Sequence, residues 1–170
     1  MAVEGKYRTR VCYNCFCIIQ RKAVAYPDFQ FAFYCSKECL DSSLDKIECI
    51  GKVLDALLVP SIDPSFKGNQ GTLVFLVHFL YYCQSENNID SRIYLQQMLK
   101  LYHADNSSAA LLAEKIVIIL TTYASPEFLS FLEANQLLSS SSLKTFIEII
   151  WFNGQRLDIP GTSNVCAMLL

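Results

Sequence analysis

Two cysteine pairs near the start of the chain have the spacing of a metal site. Cys12-Tyr13-Asn14-Cys15 and Cys35-Ser36-Lys37-Glu38-Cys39 are separated by nineteen residues. A Cys-x-x-Cys pair presents two thiolates from one knuckle, and Cys35 and Cys39 fall one helical turn apart. The two turns can converge on one tetrahedral zinc ion, which takes four sulfurs at about 2.3 Å. A shell closed by Cys12, Cys15, Cys35 and Cys39 leaves no position for water or substrate, so such an ion organises a fold and does not catalyse. The competing reading is that the four are small buried hydrophobes, which free cysteine often resembles.

The chain has eight cysteines. Cys17 and Cys49 have no obvious partner, while Cys83 and Cys166 stand in apolar text where inert burial suffices. The opening, Met1 to Cys12, has basic residues but no apolar stretch of the kind a secretory signal needs. The sequence therefore predicts an intracellular protein, in the nucleus or the cytoplasm, whose cysteines bind metal or are buried. His78 lies in an apolar helix and His103 at a helix end, with no nucleophile placed beside either. Glu114, Lys115 and Glu133 read as solvated edges, so no catalytic residue is assigned.

The elements that must position the cysteines follow from composition and periodicity. Residues are 52% apolar and 18% charged, a composition that folds rather than stays disordered. Fourteen basic and sixteen acidic groups give a net charge of −2, which offers no footprint for a nucleic acid. The longest apolar runs, Thr72 to Cys83 and Ile116 to Leu120, are too short for the roughly 20 residues of a membrane span.

Six of the eight cysteines precede Gly51, after which long apolar stretches take over. This predicts a mostly α fold: a zinc-bound knuckle with short strands over 1–50, then a multi-helix body over 51–170. The aromatic run Tyr26, Phe29, Phe31, Phe33 and Tyr34 suggests a short strand beside the zinc, or a peptide-binding surface. A helix is predicted from Ser36 to about Val59, split or kinked at Gly51. The Pro60 to Gly68 stretch reads as a loop.

Further helices are predicted over Thr72 to Tyr82, from Asp90 or Ser91 to His103, and over Ala109 to Tyr123 with a cap from Asn106, Ser107 or Ser108. A Ser125-Pro126-Glu127 start opens a helix through Leu138. Ser139 to Ser142 reads as a polar break before a last helix over Leu143 to Phe152. The apolar end, Val165 to Leu170, has the look of a segment whose strand or helix partner is lost.

The run Phe33-Tyr34-Cys35-Ser36-Lys37-Glu38-Cys39, with Lys46-Ile47-Glu48-Cys49 after it, resembles the second half of a MYND zinc finger. In that family four ligand pairs bind two interleaved zinc ions, the first and third pairs sharing one. Here the resemblance implies an intact first site of Cys12, Cys15, Cys35 and Cys39. The second pair is lacking between Cys15 and Cys35, and Asp45 stands where the family has histidine. Both losses fall on one ion; Asp45, Cys49 and Cys17 are the donors left for a second metal.

Residues 52 to 152 resemble, in pattern and position, the helical region after MYND in SET and MYND lysine methyltransferases. The family's Asn-His-Ser-Cys motif, its glycine-rich segment for S-adenosylmethionine and its catalytic tyrosine region are not found. The resemblance implies a zinc-binding interaction protein with one structural ion, a protein or peptide partner and no catalysis by itself. S-adenosylmethionine would bind only if a complete SET domain were present. The alternative is an active or partner-completed protein-lysine methyltransferase; a third reading is an adaptor of the related HIT finger type.

Overall fold

The structure, a computed structural model, describes residues 2–3, 11–15, 17–20, 22–29, 31–58, 69–85, 97, 106–153, 155–157 and 165–167. The fold is mostly helical, with short strands and a cysteine cluster near the start. Strands β1 (Ala2–Val3), β2 (Val24–Ala25) and β3 (Phe33–Tyr34) precede helices α1 (Lys37–Asp41) and α2 (Leu44–Leu58). Helices α3 (Gln70–Ser85), α4 (Ser107–Tyr123), α5 (Pro126–Ala134) and α6 (Ser140–Asn153) follow, then strands β4 (Gln155–Leu157) and β5 (Val165–Ala167).

The helix predicted from Ser36 exists, but its break is at Ser42 and Ser43 and not at Gly51. Ser36 opens α1 by accepting a hydrogen bond from the Cys39 amide. Ser43 then bonds its hydroxyl back to the Leu40 carbonyl while its own carbonyl accepts the Ile47 amide. That serine ends one helix and starts the next, using the backbone-bonding habit that makes serine a terminus residue. Gly51 sits inside an uninterrupted α2, on the buried face formed by Ile47, Ile50, Val53, Leu54 and Leu57. A Cβ there would lie 2.6 Å from Phe29 Cε2, so the Phe29 ring would have to shift to admit one.

Helix α4 packs against α6 and α2, and α3 packs against α2 and α6. The buried face of α4, Ala109, Leu112, Ala113, Ile116, Ile119 and Leu120, repeats at three- and four-residue steps. Asn106 caps it by accepting from the Ser108 amide. One apolar core runs from Cys12, Phe31 and Tyr34 through α2, α3 and α4 to Phe146 and Ile150. Helix α2 crosses residue 50 without interruption, so the cysteine-bearing segment and the helices share that core.

Helix α5 opens as expected, with Ser125 accepting from the Phe128 amide and Pro126 in the first turn. It ends at Ala134, four residues before the expected Leu138. Gln136 has a φ of 56°, and the Leu137 amide turns back to the Leu132 carbonyl at 2.8 Å. This is a helix C-terminal motif that closes orphan carbonyls. The serine run is a helix start and not a break: the Ser139 hydroxyl accepts from the Ser142 amide, and α6 begins at Ser140.

Within the apolar end, Val165–Ala167 has strand partners. Strand β5 is the middle of a three-stranded antiparallel sheet in the order β1-β5-β4, with Cys166 opposite both Ala2 and Arg156. Strands β2 and β3 pair antiparallel, Val24 against Tyr34, which realises the short strand expected in the aromatic run. The expected loop over Pro60 to Gly68 and the helix expected from Asp90 or Ser91 to His103 fall outside the described residues, apart from Gln97, which is helical. Among the described residues, no helix is long and apolar enough to cross a membrane.

Candidate metal centre

The first cysteine pair sits on a tight hairpin. Val11 and Ile18 form an antiparallel bridge, and the Cys12 amide donates to the Cys17 carbonyl at 2.9 Å. The Tyr13 amide donates to the Phe33 carbonyl at 2.7 Å, tying the hairpin to β3. The Asn14 side chain donates to the Ser42 hydroxyl at 2.8 Å, tying it also to the end of α1. The second pair comes from the β3–α1 junction: Cys35 follows the strand, and Cys39 lies one turn into the helix that Ser36 caps.

These anchors bring the sulfurs of Cys12, Cys15, Cys35 and Cys39 within 4.8 Å of one another. Cys15 and Cys35 are 3.7 Å apart, Cys35 and Cys39 3.6 Å. A disulfide would bring sulfurs to about 2.05 Å. A tetrahedron with metal–sulfur bonds of about 2.3 Å has edges of about 3.8 Å, so both distances suit four thiolates around one ion. Cys12 is fully buried, Cys35 and Cys39 are half-buried and Cys15 is exposed, which places the cluster at the edge of the core.

The electrostatics call for a cation. The Cys15 thiol is brought down to about 6, chiefly by a hydrogen bond from the Cys17 backbone. Cys35 is pushed up to about 12, first by its hydrogen bond with Cys39 and then by those with Cys15 and Cys12. One thiolate is thus supported by its neighbours' S–H groups, while a second negative charge on Cys35 is resisted. A divalent metal removes that conflict by letting all four sulfurs ionise together. The residues fit one soft-ligand metal ion, and the donor set is of the kind zinc takes.

The donors left for a second metal are not gathered. Among the described residues, Cys17, Asp45 and Cys49 form no common ligand set. Cys17 is exposed on the hairpin beside Cys15. Cys49 has partners the spacing did not disclose: its thiol lies 3.5 Å from both Gln84 Oε1 and the Ser125 hydroxyl. Asp45 and Cys49 line an open acidic cleft of about 520 Å³ together with Glu48 and Glu127. Cys83 is buried on α3 as expected, and burial pushes its thiol up to about 11; the expectation for the side chain of Cys166 lies outside what is described.

A cluster that sequence reasoning missed lies directly behind the metal centre. Tyr13, between the first two cysteines, reaches into the core, where its hydroxyl lies 3.0 Å from His78 Nε2 on α3. The Lys46 ammonium sits 4.4 Å from the centre of the Tyr13 ring, within cation–π range. Phe31 and Tyr34 meet the same ring edge-on at 5.7 and 6.0 Å. Burial holds His78 well below its ordinary value and lowers Lys46 to about 8. Only the alternation of the aromatic run hinted at this packing; nothing in the sequence links Tyr13 to a histidine 65 residues away. With Phe31 and Tyr34 buried, the aromatic run serves the core more than a peptide surface.

In comparison with known proteins, the chain matches no family model, no curated protein and no solved structure.

Proposed function

We propose that the chain is a zinc-binding, MYND-like interaction protein that resembles a fragment of a SET and MYND protein-lysine methyltransferase and has no catalytic activity by itself. The observation that carries this reading is the convergence of the Cys12, Cys15, Cys35 and Cys39 sulfurs to within 4.8 Å. These are the residues of the first and third MYND pairs, and Cys35 and Cys39 belong to the run Tyr34-Cys35-Ser36-Lys37-Glu38-Cys39 that carries the resemblance. Four protein sulfurs fill a tetrahedron, so the ion's work is to fix the hairpin, β3 and α1 against one another. The surface held in this way is the part offered to a protein or peptide partner, in the nucleus or the cytoplasm.

Metal analysis of the purified chain combined with calorimetric titration of S-adenosylmethionine tests this. The expected result is one zinc per chain and no heat of binding for the methyl donor. Donor binding at micromolar concentration would favour a methyltransferase instead. A preparation that carries no metal and keeps its circular dichroism spectrum in a strong chelator would remove the basis of the proposal.

A further inference from the structure

The metal centre has a fifth thiol that its tetrahedron does not need. Cys17 lies two residues beyond Cys15, and both are exposed, whereas Cys12 is buried and Cys35 and Cys39 are half-buried. Positions two apart have Cα atoms at most about 7 Å from each other, and a disulfide needs about 4.4–6.8 Å. The Cys12 amide to Cys17 carbonyl bond holds this part of the hairpin closed, so Cys17 stays beside the cluster. Of the other described thiols, Cys83 is buried and Cys49 is held by Gln84 and Ser125. Cys12, Cys35 and Cys39, with Cys35 only 3.7 Å from Cys15, are taken up as ligands in the four-thiolate reading, which leaves Cys17 as the thiol of the cluster free of the ion.

We propose that Cys15 and Cys17 form an oxidation site at which a hydroperoxide converts the pair to a disulfide and ejects the metal. This inference rests on the four-thiolate zinc reading above. In the first step the Cys15 sulfur attacks the terminal peroxide oxygen; the O–O bond breaks, the alkoxide leaves and takes a proton as the alcohol, and Cys15 becomes a sulfenic acid. In the second step the Cys17 sulfur attacks that of Cys15 and its proton leaves with the hydroxyl group as water. Two thiols and one hydroperoxide give one disulfide, one alcohol and one water; with hydrogen peroxide, both small products are water. The two sulfurs together lose two electrons and the peroxide gains them. Cys15 then no longer offers an anionic sulfur, and three thiolates remain where four held the ion.

The test treats the zinc-loaded full chain and its Cys17→Ser variant with hydrogen peroxide beside a chromogenic zinc indicator. Free thiols are then blocked and the peptide spanning residues 11–21 is sequenced by mass spectrometry. Wild type is expected to release zinc in step with a Cys15–Cys17 disulfide, seen as a peptide about 2 Da lighter before blocking, and to rebind zinc after reduction. Cys17→Ser is expected to hold zinc normally before oxidation and to release it roughly tenfold more slowly, because the thiol that is free of the ion is gone and those that remain are zinc ligands. Equal release rates, or a disulfide that joins Cys15 to another cysteine, would overturn the inference and leave the zinc reading intact. A wild-type chain that holds no zinc before oxidation would overturn both.

Discussion

The hydroxyl of Tyr13 and Nε2 of His78 share a hydrogen bond of 3.0 Å that joins the cysteine hairpin to helix α3. Tyr13 lies between two metal-ligand candidates, while His78 stands in the middle of an apolar helix. The bond therefore couples the metal centre to the helical body. Burial pushes the Tyr13 phenol well above its ordinary value, so it remains a neutral donor or acceptor at any ordinary pH.

Tyr13→Phe is expected to preserve the ring's contacts with Phe31, Tyr34 and Lys46 while leaving a half-buried imidazole nitrogen without its partner. The cost should be about 1–3 kcal/mol of unfolding free energy, the range for orphaning a buried polar group. Urea denaturation followed by circular dichroism measures it. A metal ion held by the four cysteines should also be lost from the variant at a lower concentration of a competing chelator than from wild type. An unchanged denaturation midpoint would mean that the bond contributes nothing to the joint.

His78 gives that joint a pH dependence of known sign. Burial is the main cause of its lowered proton affinity, with the nearby Lys46 charge second. The folded state therefore resists a proton that the unfolded chain takes up near pH 6.5, and the unfolded state binds more protons in that range. The stability due to neutral His78 is present above about pH 6.5 and is lost as pH falls below it, by at most about 1.4 kcal/mol per pH unit. Lys46 behaves alike in a separate window: its folded value of about 8 lies below the ordinary 10.5, so its share is lost between those values on the way down. His78→Gln, which can still bond Tyr13, should flatten the acid limb. Cysteine protonation acts in both proteins, so the measured quantity is the difference in unfolding free energy between them from pH 7 to 5. A difference that does not change with pH would show that His78 is not held neutral.

The four ligand candidates were legible because metal geometry is local: Cys-x-x-Cys and Cys-x-x-x-Cys need only a turn and a helical step. Caps were legible for the same reason, as at Asn106 and Ser125. What could not be read depended on distant chain. The partners of Cys49 are Gln84 and Ser125, 35 and 76 residues away, and the partners of strand β5 include Ala2 and Val3 near the other end of the sequence. Gly51 shows the same limit. Its helix-weakening tendency was read locally, but the reason for a glycine there is the ring of Phe29.

Gly51→Ala follows from that contact. Alanine favours a helix interior by about 1 kcal/mol over glycine. Its Cβ would stand 2.6 and 2.9 Å from two Phe29 ring atoms, so the ring would have to leave its place against Tyr26. Overpacking of this kind costs about 1–3 kcal/mol, so a net loss of stability is expected despite the propensity gain. Phe29→Leu in the same chain should relieve the crowding. A double-mutant cycle should then give a favourable coupling of at least about 0.5 kcal/mol. A more stable Gly51→Ala single variant would show that the ring moves freely.

Helix α6 carries a buried carboxylate. Glu148 is fully buried; its Oε1 accepts the Asn106 amide at 2.9 Å, just before α4, and lies 3.8 Å from the Lys144 ammonium. Its Oε2 is buried with no hydrogen-bond partner among the described residues. The carboxylate thus ties the start of α4 to α6 through a single oxygen, at the expense of desolvating the second. Glu148→Ala removes the acceptor and should cost about 1–3 kcal/mol by leaving the Asn106 amide unsatisfied, with a further loss from the cavity. Glu148→Gln keeps a carbonyl oxygen for that amide and removes the buried charge, so it should stay within about 1 kcal/mol of wild type or exceed it. Urea denaturation of the two variants separates the contributions: if glutamine costs as much as alanine, the negative charge holds the junction, and if it costs little, the hydrogen bond does.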